Sequence, residues 1–395
     1  MKSPLRSILM KLARLPLALT LAAPAALAET PSDLGWVKPD PSELFRVFGL
    51  RKLISLGPEL EPLEAPPFEA TAPMISKDGS LAFAATRDGD LHARWIDSGK
   101  SLWDVHVGRS GHSFAQYREL LLAGVGTHLV ALEAYSGKER WRLDLGGMIG
   151  GAITVTGTVA YVPVRPAGVT AVDVVATSVR WRFKRARPEG ITVLGQSAVT
   201  VDEARGQLYT GLPDGSLAAI ALSDGEVRWT ATLTSGRRPF RDVDAAPLLT
   251  PDGELLAANY DSGLFGLDPD DGRVRWKEPA VTGVTGLTLV MGRVIATDGG
   301  AVGLGPKGQV VWRYRPHKGF LSAPMPFGFG MVGFASSSGV IPVLDAVTGK
   351  PTQLLSVGPS GVLSPPARLR KDLAILTNRG SLMFFRYGEG SGITR

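Results

Sequence analysis

The side chains able to do chemistry in this chain are few, and their spacing works against it. Five histidines, His92, His106, His112, His128 and His317, would be first choice as metal ligands or general bases, yet none shows the H-x-x-x-H spacing of a metal-binding pair. No G-x-S-x-G elbow accompanies them. A catalytic histidine would require convergence in space that the sequence does not display. The chain has no cysteine, which removes disulfides, thiolate metal sites and thiol catalysis. The acidic run Asp268-Pro269-Asp270-Asp271-Gly272 suggests calcium, but its glycine comes one place early and Pro279 stands where the closing glutamate belongs. A solvated hairpin tip fits it better. Two stretches match G-x-G-x-x-G, at Gly303/Gly305/Gly308 and Gly328/Gly330/Gly333, whereas dinucleotide binding needs that pattern where a strand enters a helix. The first precedes a β tryptophan and the second lies between strands. Gly99-Lys100-Ser101 lacks the upstream glycine of a phosphate loop, Arg94 standing there instead. No catalytic, metal or cofactor site is therefore expected.

The elements that would position any site announce themselves through six tryptophans, Trp103, Trp141, Trp181, Trp229, Trp276 and Trp312, spaced 36 to 48 residues apart. In five cases a glycine sits four residues earlier: Gly99, Gly137, Gly225, Gly272 and Gly308, with Thr177 before Trp181. This is the period of a four-stranded blade in a radial array. Each unit reads as a first strand rich in small residues and proline (Thr71-Ala72-Pro73, Gly150-Gly151-Ala152, Asp244-Ala245-Ala246-Pro247, Ser364-Pro365-Pro366), as expected where inner strands converge on an axis. An apolar second strand, a glycine-bearing turn such as Asp88-Gly89 or Asp214-Gly215, and an alternating third strand follow. A second hairpin then leads to the fourth strand and its tryptophan.

Counting third strands from Leu91, Leu129, Val169, Leu217, Leu264, Ala301, Val340 and Ser381 gives eight units. The seventh has Gln353 in place of tryptophan, and the eighth stops near Tyr387 without a fourth strand. Arg51-Lys52-Leu53-Ile54-Ser55-Leu56 is the candidate donor of that strand, clasping the ring by pairing both chain ends in one blade. The alternative count is seven blades and a stray hairpin. The predicted fold is an all-β, eight-bladed propeller of four-stranded antiparallel blades. The tryptophans are read as docking neighbouring blades, each indole lying on a flat glycine surface. Burying one removes about 150–250 Å² from water, at most ~4–6 kcal/mol.

Ala131-Leu132-Glu133-Ala134-Tyr135-Ser136-Gly137-Lys138-Glu139-Arg140-Trp141, echoed by Leu344-Asp345-Ala346-Val347-Thr348-Gly349-Lys350, resembles the A-x-D-x-x-T-G-x-x-x-W repeat of the pyrroloquinoline-quinone-like β-propeller family. The match runs over roughly residues 71–388. The resemblance implies a propeller that serves either quinoprotein dehydrogenases or non-catalytic scaffolds. Short blades and a clasping N-terminal strand look most like the family's periplasmic eight-bladed scaffolds, which hold an outer-membrane barrel-assembly machine together. The chain departs from that group in lacking a lipidated cysteine, so no lipid anchor is expected. A quinoprotein would need a calcium-held quinone, a carboxylate base and blade insertions, and the spacing leaves no insertion beyond about ten residues.

Lys2, Arg6, Lys11 and Arg14 precede the apolar run from Leu15 to Ala26, and Ala26-Leu27-Ala28 forms a small-x-small cleavage site. Residues 1–28 read as a signal peptide, 29–50 as an N-terminal extension, 51–388 as the propeller and 389–395 as a flexible tail. Pro16 and Pro24 interrupt a run too short to span a bilayer. The formal net charge of +6 owes four charges to that leader, so it argues for no nucleic-acid partner. Export to the periplasm, peripheral to the outer membrane, is expected.

What remains is the surface. Arg185 and Arg187 in the first stretch, Arg237, Arg238, Phe240 and Arg241 in the second, and Arg313, Tyr314 and Arg315 in the third are assigned to connections between a fourth strand and the next first strand. In a propeller those connections share one face, so they are predicted to form a surface for an acidic envelope partner, for which the resemblance suggests the barrel-assembly machinery. The alternatives are a small quinone-dependent oxidoreductase and a channel that binds polysaccharide or a small ligand.

Overall fold

The computed structural model describes residues 44, 47–56, 71–108, 110–185, 197–234 and 242–388, all within one compact unit, Trp36–Arg395. They form eight four-stranded antiparallel sheets. Blade 1 runs from Met74 to His106, blade 2 from Ser110 to Asp144, blade 3 from Thr154 to Lys184 and blade 4 from Thr200 to Thr232. Blade 5 spans Leu248 to Glu278, blade 6 Gly286 to Tyr314 and blade 7 Leu321 to Ser356. Blade 8 is built from Ala367–Leu369, Asp372–Leu376, Ser381–Tyr387 and, on its outer edge, the N-terminal strand Phe48–Ser55. The only helical turn among the described residues is Pro306–Gly308. No described helix is long and apolar enough to cross a membrane.

The clasp is therefore real, and it begins at Phe48, three residues before the predicted start. Its ladder aligns Phe48 with Tyr387, Leu53 with Met383 and Ser55 with Ser381, with a bulge between Leu50 and Lys52. The small-residue and proline triplets lie for the most part just ahead of the first strands, not inside them: Thr71-Ala72-Pro73 precedes Met74–Ile75, and Ala245-Ala246-Pro247 precedes Leu248–Leu249. Near the axis the backbones crowd, so residues with little side chain or no N–H bring the chain in before pairing begins.

Apolar side chains point from both faces of each sheet, as buried strands require. They segregate into eight buried clusters, one at each junction between consecutive blades. The tryptophans sit at the outer end of these junctions, and five of the six indoles meet the glycine of the following blade, not the one four residues earlier in their own hairpin; the hairpin after Trp141 has Thr177, also at positive φ (53°), in that place. A Cβ on Gly137 would stand 2.8 Å from Trp103, on Gly225 2.6 Å from Trp181, on Gly272 2.4 Å from Trp229, on Gly308 2.2 Å from Trp276 and on Gly349 2.4 Å from Trp312. Those glycines also hold positive φ of 71° to 80°, so they are needed twice over. Across its own ladder each tryptophan faces a small residue, Ala93, Ala131, Ala171, Ala219, Gly266 or Gly303, beside a bulge. The indole N–H of Trp103, Trp181, Trp229 and Trp312 reaches a carbonyl three residues before the receiving glycine, on Ala134, Leu222, Pro269 and Ala346. Trp276 donates to Glu254 at 2.6 Å instead.

Candidate functional site

Connections between blades and the turns joining second to third strands share one face, because backbone bonds tie them together. Val107 N–H reaches Gly89 O at 3.0 Å, Arg185 N–H reaches Ala167 O at 2.8 Å, Leu233 N–H reaches Gly215 O at 3.0 Å and Leu321 N–H reaches Gly299 O at 3.0 Å. This linker face is thus a rigid platform whose side chains are set by the blades beneath.

Arg185 and Arg315 both lie on it. Arg185 pairs with Asp214 at 3.0 Å and donates to Ser216 Oγ at 3.2 Å. Arg315 pairs with Asp298 at 3.0 Å and donates to its carbonyl at 2.9 Å. Arg313 and Tyr314 do not belong to a linker: they close the fourth strand Val310–Tyr314, and both are buried. Arg313 is locked to Asp298 at 2.7 Å and to Ala280 O at 3.0 Å, while burial raises the Tyr314 hydroxyl above its ordinary pKa. Likewise Phe183 is packed inside Ser178–Lys184. The reason is the strand period: once the tryptophan faces the next blade, the residue two places on does too. Arg187, Arg237, Arg238, Phe240 and Arg241 lie outside the described residues.

Sequence reasoning missed the acidic half of this face. Asp214 and Asp298 each begin an Asp-Gly turn, and they stand beneath the arginines of adjoining linkers, so the positive charge there is locally balanced. Asp242 and Asp244, at the end of the linker into blade 5, are buried as well. The one signal available was the recurrence of aspartate in turns that must share the linkers' face. Exposed groups join the arginines: His317, Lys318 and Phe320 before blade 7, and Met148 before blade 3. Among the described residues no group of three or more histidines, aspartates or glutamates could hold a metal ion.

A family model described as outer membrane protein assembly factor BamB matches residues 87–304, more than half of the chain. The chain belongs to the BamB family. Its curated BamB relatives include those of Yersinia pestis, 24% identical over 330 residues covering 78% of this chain and 82% of that one, and of Bordetella pertussis (strain Tohama I), 26% identical with 78% and 81% covered. The crystal structure of BamB from Moraxella catarrhalis superposes with a TM-score of 0.71 at 19% identity, covering 86% of this chain and all of that one. Quinohemoprotein alcohol dehydrogenase from Comamonas testosteroni shares the fold at a TM-score of 0.67 and 13% identity, covering 89% of this chain and 78% of its own. At such identity a structural likeness speaks for the propeller alone; BamB membership rests on the sequence match.

Proposed function

We propose that this BamB-family propeller is an exported, periplasmic, non-catalytic scaffold that supports outer-membrane β-barrel assembly through its linker face. The observation that carries the reading is the family match over residues 87–304, which runs through blades 3 and 4 and the two basic stretches that follow them. The described part of the platform supports it physically: Val107, Arg185, Leu233 and Leu321 are bonded to neighbouring turns, so there a partner meets a surface that loses little entropy on binding. Arg185 and the basic residues at 187, 237, 238 and 241 would supply the positive edge, with Phe320 and Met148 as apolar contacts. Arg313 and Tyr314 are left out of this surface because they are buried, and Arg315 contributes only the part of its charge that Asp298 leaves unbalanced.

Crosslinking in the native cell envelope, followed by mass spectrometry, tests the reading. The parent should capture proteins of the barrel-assembly machinery, and Arg187→Glu/Arg238→Glu/Lys318→Glu should lose them while keeping its melting temperature. Cells without the gene should show lower levels of β-barrel outer-membrane proteins. Unchanged capture by the triple variant would remove the linker face from the proposal. Dye reduction after reconstitution with quinone and calcium would remove the non-catalytic part.

A further inference from the structure

The face opposite the linkers carries an unusual row. The two-residue hairpins joining first to second strands begin with a non-glycine residue in the left-handed region in blade 2, Arg118 (φ 50°), and in three consecutive blades, 6, 7 and 8: Met291 (φ 50°), Phe329 (φ 53°) and Arg370 (φ 53°). Glycine or asparagine would sit there without strain, whereas a bulky side chain costs roughly 1–2 kcal/mol. None of these side chains recovers that cost by burial. Met291 is 76% exposed and Phe329 61% exposed, and Arg370 points into solvent as well. Strain held in place while the side chain faces water points to a use outside the fold.

The surroundings of Phe329 say what would be used. Its ring stacks on Tyr387, centroids 3.9 Å apart and planes 15° apart, and Arg368 stands with its guanidinium carbon 5.9 Å from the same ring. Gly328, the first glycine of a stretch with no dinucleotide to bind, makes this possible: a Cβ there would lie 2.1 Å from the Arg368 guanidinium. Met291 extends the platform, 3.7 Å from where a Cβ on Gly330 would be. Arg368 is half-buried, its Nε has no hydrogen-bond partner, and burial lowers its pKa from the ordinary arginine value. Among the described residues no carboxylate comes within ion-pair range of Arg368, Arg370 or Lys371. The nearby Asp372 is taken by Arg386 at 2.6 Å.

We infer that this row is a second docking site, for a peptide segment of another protein in which a carboxylate stands next to an apolar or aromatic side chain. The carboxylate would meet the Arg368 fork, with Arg370 and Lys371 adding long-range attraction, and the apolar side chain would lie on the Phe329–Tyr387 stack beside Met291. A planar, half-buried guanidinium suits a single carboxylate, and a platform of two rings and a thioether suits one or two side chains, not a lipid surface. The site lies on the other side of the ring from the linker face and does not depend on it.

The test uses the full chain and short synthetic peptides in which Asp, Glu, Asn or Gln is placed beside Phe, Leu, Met or Ser, with binding read by fluorescence polarisation. Acidic-apolar peptides should bind about tenfold or more tightly than their amide or serine counterparts, and Phe329→Gly should cost about as much again. The same variant should keep or raise the melting temperature, because glycine relieves the positive φ. Arg368→Gln should remove the preference for acid over amide, and Arg187→Glu/Arg238→Glu should leave peptide binding untouched. Four results would overturn the inference. The first is a lack of carboxylate preference. The second is Phe329→Gly binding like the parent. The third is binding seen only after residues 389–395 are removed, which would make the chain's own tail the occupant. The fourth is a Phe329-dependent affinity for phosphatidylglycerol vesicles or for a second copy of the chain without any for the peptides.

Discussion

The six junctions from blade 1 to blade 7 and the two that close the ring solve one packing problem in different ways. Within the array an indole from one blade covers a glycine of the next in five of the six junctions, Thr177 standing there in the junction of blades 2 and 3, and every indole lies opposite a small residue on its own third strand. At the junction of blades 7 and 8 the tryptophan place holds Gln353, whose Oε1 accepts the amides of Val47 at 2.9 Å and Phe48 at 2.7 Å while its Nε2 donates to Phe48 O at 2.8 Å. The residue across from it is Val343, where the tryptophan blades have Ala or Gly. At the junction of blades 8 and 1, Gly99 receives Ile54, 3.1 Å from where its Cβ would be, and Asp97 binds Arg51 and Arg386 at 3.1 and 3.0 Å. His92 and Arg94 hold Asp104 on the same side of blade 1. All eight junctions bury an apolar cluster; the repeated ones add an indole, and the joint between chain ends adds a set of directed polar bonds. A strand arriving from far away in sequence needs its register specified, which hydrogen bonds do and a flat indole contact does not.

Removing the clasp breaks the comparison most severely. A chain lacking everything up to Leu56 leaves the third strand of blade 8 as an open apolar edge, and it should lose its cooperative melting transition, aggregate, and be cut by protease within residues 363–388. A truncation as stable as the parent would show that the ring closes without its outer strand. Next in size are the indole junctions. Trp312→Ala and Trp103→Ala, both buried, should cost about 3–5 kcal/mol in denaturant unfolding, and half-buried Trp141→Ala and Trp229→Ala toward the low end of that range. Gly349→Ala should destabilise comparably because its Cβ meets Trp312. The double variant Trp312→Ala/Gly349→Ala should be less than additive, since the first change makes room for the second. Full additivity would separate the two residues.

Gln353→Ala leaves two amides and a carbonyl unmatched at the clasp and should cost about 2–3 kcal/mol. Gln353→Trp should not rescue it, because Phe48 occupies the space that an indole would take. A stable tryptophan variant would mean that the polar joint is dispensable. The smallest effect concerns pH. Burial alone would raise the Asp104 pKa, but hydrogen bonds from His92, Ser101 and Arg94 outweigh it and hold the group at about 2, below the ordinary 3.8. A carboxylate depressed on folding contributes stability above its unfolded pKa and loses it as pH falls through the folded value. The parent should therefore lose melting temperature between about pH 4 and pH 2 more steeply than Asp104→Asn. Parallel acid profiles would show that the carboxylate gains nothing from its position in the seam.

Several of these features were legible before any coordinates. Trp-to-Trp spacing gave the repeat period and the recurring third strands the blade count, the missing tryptophan at Gln353 marked an exceptional junction, and the expected donor Arg51 to Leu56 overlaps the observed clasp strand Phe48–Ser55. The basic surface was less legible. Arg313 and Tyr314 looked like linker residues because composition does not reveal where a strand ends, and Arg185 looked free because its partner Asp214 lies in a turn of the next repeat.

The sequence by itself determined the repeat and the positions that must be small or glycine, since these follow from local periodicity and turn chemistry, while the family came from the likeness of its repeat motif to a known one. Tertiary structure decided which glycine each indole covers, that Gln353 grips a backbone 305 residues away, that Asp298 holds two arginines, and that Met291, Phe329 and Arg370 fall in one row. Those are contacts between strands and turns distant along the chain, most of them between repeats, and a one-dimensional pattern records the period of a repeat without the direction in which each side chain leaves it.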